Sequence, residues 1–204
     1  MKITWNGHAC FLIETREGSV VLDPYEPESI PGLRLPEMTA DLVVCSHEHF
    51  DHNARAAVRL TGRPVGFSMR QMDSWHDEVQ GEKRGANKIT ILDAEGLRLV
   101  HLGDLGHRLD QEQVAALGAV DVLMIPVGGY YTIDADTAWA LAQEIRPQIL
   151  LPMHYSGPDF GFSEIAPVED FLALAGEVRR LDTNVLDPAE TETPVTAVLR
   201  CPVN

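Results

Sequence analysis

Short apolar runs, several rich in β-branched side chains, recur along this chain at residues 9–13, 20–22, 42–45, 88–92, 97–102, 122–127, 149–151 and 195–199. Runs this short, set between Gly, Pro, Asp and Asn, predict β-strands. Between them the period changes. From Asp134 to Ile145, the residues Ala138, Leu141, Ala142 and Ile145 share one face at helical spacing. Asp134 stands where an N-cap belongs and Pro147 closes the pattern, so a helix is predicted there. Further helices are predicted over 53–60, 111–117 and 167–175, which makes the class α/β.

At 204 residues the chain can bury one well-formed core, and no linker or low-complexity tract divides it, so a single domain over 1–204 is expected. The stretch Asp187-Pro188-Ala189-Glu190-Thr191-Glu192-Thr193-Pro194 reads as an acidic surface loop before the last strand. A formal net charge of −15 argues against a grip on polymeric nucleic acid, which needs clustered Lys and Arg. A small-molecule substrate, including an anionic one, fits better, because bound cations make a positive pocket within an acidic surface. Residues 1–8 lack an apolar signal core, and no apolar stretch reaches the roughly 18 residues of a membrane span. A cytoplasmic protein without membrane contact is therefore expected; the pattern sets no oligomeric state. Cys10, Cys45 and Cys201 stand beside apolar residues without a Cys-x-x-Cys spacing, and read as reduced small hydrophobes rather than nucleophiles.

One segment stands apart. Directly after Leu42-Val43-Val44-Cys45 comes Ser46-His47-Glu48-His49-Phe50-Asp51-His52-Asn53, with three imidazoles and two carboxylates in the six residues from His47 to His52. Unpaired charges crowded at a strand end are costly, so this density points to metal ions. On an extended backbone His47 and His49 point the same way while adjacent Asp51 and His52 splay apart, so the segment addresses two ion positions. Position adds to this: His47 follows the run at 42–45, Asp104 the run at 97–102, and His154 the run at 149–151. Each candidate ligand leaves the C-terminal end of a buried strand, the edge where loops of layered α/β folds converge on a ligand.

The series His47-x-His49-x-Asp51-His52, then Gly103-Asp104, then Pro152-Met153-His154-Tyr155 resembles the metallo-β-lactamase fold hydrolases, and among them the short cytosolic lactonase-like (ascorbate-6-phosphate lactonase-like) branch. Gly7-His8-Ala9-Cys10-Phe11-Leu12-Ile13, Leu22-Asp23-Pro24, and Pro126-Val127-Gly128-Gly129 with Thr132 carry the similarity over residues 3–156. The resemblance implies a four-layer αββα sandwich, two mixed β-sheets face to face with helices outside. It also implies a dinuclear metal-dependent hydrolase. His47, His49 and a third histidine would hold the first ion, Asp51, His52 and His154 the second, with Asp104 bridging. By spacing, His101 and His107 compete for the third place; similar proteins take that ligand from a loop before the glycine-aspartate strand, which selects His76.

Two divalent ions are implied, zinc first, with manganese or iron also accepted by such ligands. A divalent ion lowers the pKa of bound water from about 15.7 to about 7. A bridging hydroxide could then attack a small ester, lactone, amide or phosphodiester, with Asp51 as the catalytic residue that takes or passes its proton. His8, in a predicted turn, is either a substrate-side contact or a hydrogen bond that pins the turn. His107 and Tyr155 are candidate leaving-group acids that packing explains better. Lys83-Arg84-Gly85 reads as a solvated salt-bridge loop ahead of an anion contact, and Gly128-Gly129 as a turn ahead of a phosphate cradle. The alternatives on the same fold are di-iron redox chemistry and a non-catalytic, metal-stabilised ligand-binding protein. Metal identity separates the first from hydrolysis, and the open coordination left by three terminal ligands per ion argues against the second.

Overall fold

The structure, a computed structural model, describes residues 1–203, and among these the chain forms fourteen strands, three α-helices and two short 3-10 turns. In chain order the first strands are β1 (Lys2–Trp5), β2 (Phe11–Thr15), β3 (Gly18–Leu22), β4 (Met38–Ala40), β5 (Leu42–Val44) and β6 (Val58–Leu60). Then come β7 (Ser68–Trp75), β8 (Ala86–Ala94), β9 (Leu97–His101), α1 (Gln111–Leu117), β10 (Val122–Pro126), α2 (Ala135–Ile145) and β11 (Ile149–Met153). The chain finishes with α3 (Val168–Leu172), β12 (Val178–Arg180), β13 (Val185–Leu186) and β14 (Val195–Val198).

One sheet has the order β13-β1-β2-β3-β5 and the other β12-β14-β11-β10-β9-β8-β7, with β4 and β6 as a separate ribbon. Both large sheets are mixed: β3 lies parallel to β5 and antiparallel to β2, and β9 lies parallel to β10 and antiparallel to β8. Side chains alternate across each strand of the first sheet. Ile3, Trp5, Phe11, Ile13, Val20 and Leu22 join Ile89, Ile91 and Leu99 in the main core, whereas Val21 packs with Cys10, Tyr25, Ile30 and Leu33 in a smaller one. Strands β10 and β11 are buried at every position, as expected of parallel strands covered on both faces.

All three α-helices belong to the half of the chain that builds the seven-stranded sheet, and the smaller core covers the other sheet's outer face. α1 and α2 form as predicted, with Asp110 and Gln113 in a reciprocal capping box and Asp134 accepting the Thr137 N–H. The helix predicted over 53–60 does not form. Residues 55–57 make one 3-10 turn and Val58–Leu60 is β6, parallel to β4 with Met38 opposite Val58. Ala54, Ala56 and Ala57 favour helix locally, but the Ala54 N–H goes to the Pro24 carbonyl at 2.8 Å and the pairing buries Val58. The helix predicted over 167–175 shortens to Val168–Leu172.

The last strands enter both sheets: β13 pairs with β1, placing Leu186 opposite Ile3, and β14 lies between β11 and β12. No helix of the described residues is long and apolar enough to cross a membrane. The C-terminal ends of β1, β3, β5, β7, β9, β10 and β11 meet at one rim of the sandwich, and every candidate ligand leaves from there.

Candidate metal centre

His8 lies in the turn between β1 and β2, Asp23 follows β3, and residues 46–52 follow β5. His76 follows β7, Asp104 lies just beyond β9, and His154 follows β11 directly. His8, Asp23 and His154 have φ of 53°, 46° and 53°, a left-handed backbone that non-glycine residues adopt at a cost of about 1 kcal/mol or more. Gly103 also has positive φ, and a side chain there would collide with Ser46 and Asn87; one at Gly106 would run into the backbone of His76 and Asp77. These two glycines allow the Asp104 loop to lie against both histidine segments.

Asp104 is buried at the middle of the cluster. Its Oδ2 lies 3.1 Å from His154 Nε2, 3.2 Å from His52 Nε2, 3.2 Å from His76 Nε2 and 4.0 Å from His47 Nε2. Two donor groups flank it. His47, His49 and His76 form one, and His8, Asp51, His52 and His154 the other, each with ligand atoms within 4.8 Å of one another. Asp51 Oδ2 faces His8 Nε2 at 3.4 Å and His52 Nε2 at 3.7 Å.

Neighbouring groups fix which nitrogens are free. Asp23 accepts the Ser46 N–H at 2.7 Å, the Ser46 hydroxyl at 2.6 Å and His52 Nδ1–H at 2.8 Å. Because the Ser46 hydroxyl proton is committed to Asp23, its oxygen accepts from His47 Nδ1–H at 2.8 Å. His76 Nδ1–H donates to the Tyr131 carbonyl at 3.1 Å. All three rings therefore turn Nε2 inward, the arrangement that orients metal-binding histidines.

The residues fit divalent cations. His8 Nδ1 and Nε2, His47 Nε2, His52 Nε2, Asp104 Oδ1 and His154 Nδ1 are buried without a hydrogen-bond partner. Such groups are expensive to bury unless something coordinates them. Burial, assisted by the His154 charge, pushes the His8 imidazole down to about 4, and burial pushes His47 down to about 3. Burial alone would raise Asp104, but the facing His154 and His52 hold it well below the carboxylate range. Burial likewise opposes charge on His52, yet Asp104 and Asp23 outweigh it and raise that ring. The neutral imidazoles of His8 and His47 beside an ionised carboxylate suit a cation, and the proton that Asp104 and Asp23 favour on His52 would be released on its binding.

The structure brings together His47, His49, Asp51, His52, His76, Asp104 and His154. The competitor His101 is elsewhere: its Nε2–H donates to the Ala9 carbonyl at 2.9 Å and its Nδ1 accepts the Gly103 N–H at 3.1 Å, so both nitrogens are used. His107 accepts the Trp75 N–H at 3.2 Å outside the cluster. Tyr155 is buried against Trp5, ring centroids 5.4 Å apart, as packing predicts. His8 belongs to the cluster, its ring 4.0 Å from that of His154, while its carbonyl accepts from Trp5 Nε1–H and the His154 N–H. Its backbone thus pins the turn, as one of the two readings expected. Asp23 was not among the site residues expected from sequence; its place after the apolar run 20–22, like that of Asp104 after 97–102, was the available signal. Gly129, with φ of 64°, makes a turn. Burial pushes the Cys45 and Cys201 thiols up to about 12, far from thiolate reactivity.

A family model described as "Beta-lactamase superfamily domain" matches residues 2–154. A UPF0173 metal-dependent hydrolase of Archaeoglobus fulgidus is 30% identical, over 94% of this chain and 98% of its own length. One of Thermoplasma acidophilum is 28% identical, over 96% and 98%. Among solved structures, a Thermotoga maritima protein of the metallo-β-lactamase superfamily is similar at 35% identity and a TM-score of 0.77, covering 97% of this chain and 98% of that one. The matched span opens with β1 and ends on His154 itself, taking in every residue of the cluster, and the chain belongs to the β-lactamase superfamily and shares its fold.

Proposed function

We propose that the cluster holds two divalent cations, zinc first, and that the chain is a hydrolase of small esters, lactones, amides or phosphodiesters. The observation that carries this is the pair of histidine groups on either side of buried Asp104, with buried nitrogens of His8, His47, His52 and His154 left without a hydrogen-bond partner. The relatives' description as metal-dependent hydrolases agrees with it. His47, His49 and His76 would hold one cation, Asp51, His52 and His154 the other, and Asp104 would lie between them. His8 is placed to join the second group. Cations bound there would supply Lewis acidity toward a carbonyl or phosphoryl oxygen and ionisation of water near neutral pH.

The chain's own groups do the rest. Asp51 is the partly exposed carboxylate of the cluster, held by His8 and His52, and accepts and passes the proton of the attacking water. Asp23 and Ser46 keep His52 and His47 in the ligating tautomer. The test is elemental analysis of gently purified protein with a hydrolysis panel of lactones, phosphodiesters and thioesters, with and without chelator. Two equivalents of metal and chelator-sensitive turnover support the reading. Metal-free protein with no turnover on added zinc, manganese or iron would sink it.

A further inference from the structure

The loop between β7 and β8 carries Arg84 as well as His76. Asp77 shapes it, accepting the backbone N–H groups of Val79 at 3.0 Å, Gly81 at 2.8 Å, Lys83 at 3.0 Å and Arg84 at 2.7 Å. Lys83 pairs with Glu78 on the outside of this loop. Arg84 takes a different course: its guanidinium donates to the Tyr130 carbonyl at 2.9 Å and sits 5.6 Å from the centroid of the Tyr131 ring. The Tyr131 carbonyl holds His76, and its ring meets Phe162 edge-on at 6.2 Å. Phe162 in turn meets the His8 ring at 5.8 Å. Arg84, Tyr131 and Phe162 thus form a wall that ends on His8, beside Asp51.

Among the described residues no carboxylate pairs with Arg84, in a chain with 31 acidic and 16 basic side chains. A guanidinium held on an aromatic ring with donors to spare is a receptor for a planar or tetrahedral oxyanion. We propose that Arg84, carried on Tyr131, binds a carboxylate or phosphate of the substrate at the rim of the metal centre, so that the enzyme selects small anionic substrates. The proposal rests on the hydrolase reading above and names its substrate class.

Two readouts test it on the metal-loaded full chain. Calorimetric titration with benzoate and phenyl phosphate compares wild type with Arg84→Gln and Arg84→Lys, with benzyl alcohol as the neutral control. Wild type should bind at least one of the anions roughly tenfold more tightly than Arg84→Gln, with Arg84→Lys between them, and the preferred anion tells carboxylate from phosphate. In parallel, the ratio of kcat/KM for the p-nitrophenyl ester of succinate to that for its methyl-capped analogue should fall by a similar factor in Arg84→Gln. Equal anion affinity and an equal ratio in wild type and Arg84→Gln overturn the proposal, while hydrolysis itself persists. Arg84-dependent anion binding without metal-dependent turnover supports the anion arm and sinks the hydrolase reading instead.

Discussion

His52 and Asp23, 29 positions apart, are joined by an Nδ1 to Oδ2 contact of 2.8 Å on the side of the ring turned away from Asp104. The same carboxylate holds Ser46, which holds His47, so one aspartate orients a ring in each donor group. Asp23→Asn should lower metal affinity roughly 10- to 100-fold. Asparagine tolerates positive φ, so the backbone turn at this residue survives the change. Competition with a chromophoric chelator measures the effect; affinity equal to wild type would show that Asp23 orients nothing.

Asp51→Asn removes the proton acceptor but keeps the volume and one oxygen of the side chain. Turnover should fall by about two to four orders of magnitude, with melting temperature and the metal in the His47 group retained. Single-turnover kinetics beside metal analysis separates a chemical defect from a binding one. Unchanged turnover excludes Asp51 from the proton path.

His76→Ala and His101→Ala should behave oppositely. His76 lies against Asp104 and within 4.8 Å of His47 and His49, so its loss should cost about one metal equivalent. His101 is buried with both nitrogens bonded to backbone, so its loss should cost about 2 to 4 kcal/mol of stability with metal content retained. Metal lost from His101→Ala without loss of stability would exchange the two roles.

Strands β2, β3, β5, β8, β9, β10, β11 and β14 and most of the cluster were readable because the signals are local, whereas β1, β4, β6, β7, β12 and β13 fell outside the apolar runs. His47 to His52 are contiguous, and Asp104 and His154 each end an apolar run that becomes a buried strand. His76 was not readable that way: it follows β7, an edge strand whose Ser68, Arg70, Gln71 and Asp73 leave no clean apolar alternation, so only the family resemblance selected it. Arg84 reads as one more solvated cation until the fold sets Tyr131 beside it. The failed helix over 53–60 has the same origin, since the partners of Ala54 and Val58 lie at Pro24 and Met38.

Asp41 ties that ribbon to the first sheet, and its acid titration should be visible in stability. Its carboxylate accepts the Ser19 N–H at 2.9 Å, the Ser19 hydroxyl at 3.0 Å, Arg63 Nε–H at 2.9 Å and the Thr61 hydroxyl. The Thr61 bond, followed by Arg63 and Ser19 and outweighing burial, lowers its pKa from 3.8 to about 2. A carboxyl depressed in the folded state leaves the unfolded chain binding more protons between these values, so stability rises with pH across that window. The contribution is complete above the ordinary carboxylate pKa and lost as pH falls through about 2. In chelator-treated protein, where acid-driven loss of metal does not enter, the stability gap between wild type and Asp41→Asn should be widest at pH 6 and close toward pH 2. Urea midpoints at the two pH values decide it: a gap of equal size at both would show that Asp41 acts by shape alone and that its charge contributes nothing to holding the ribbon.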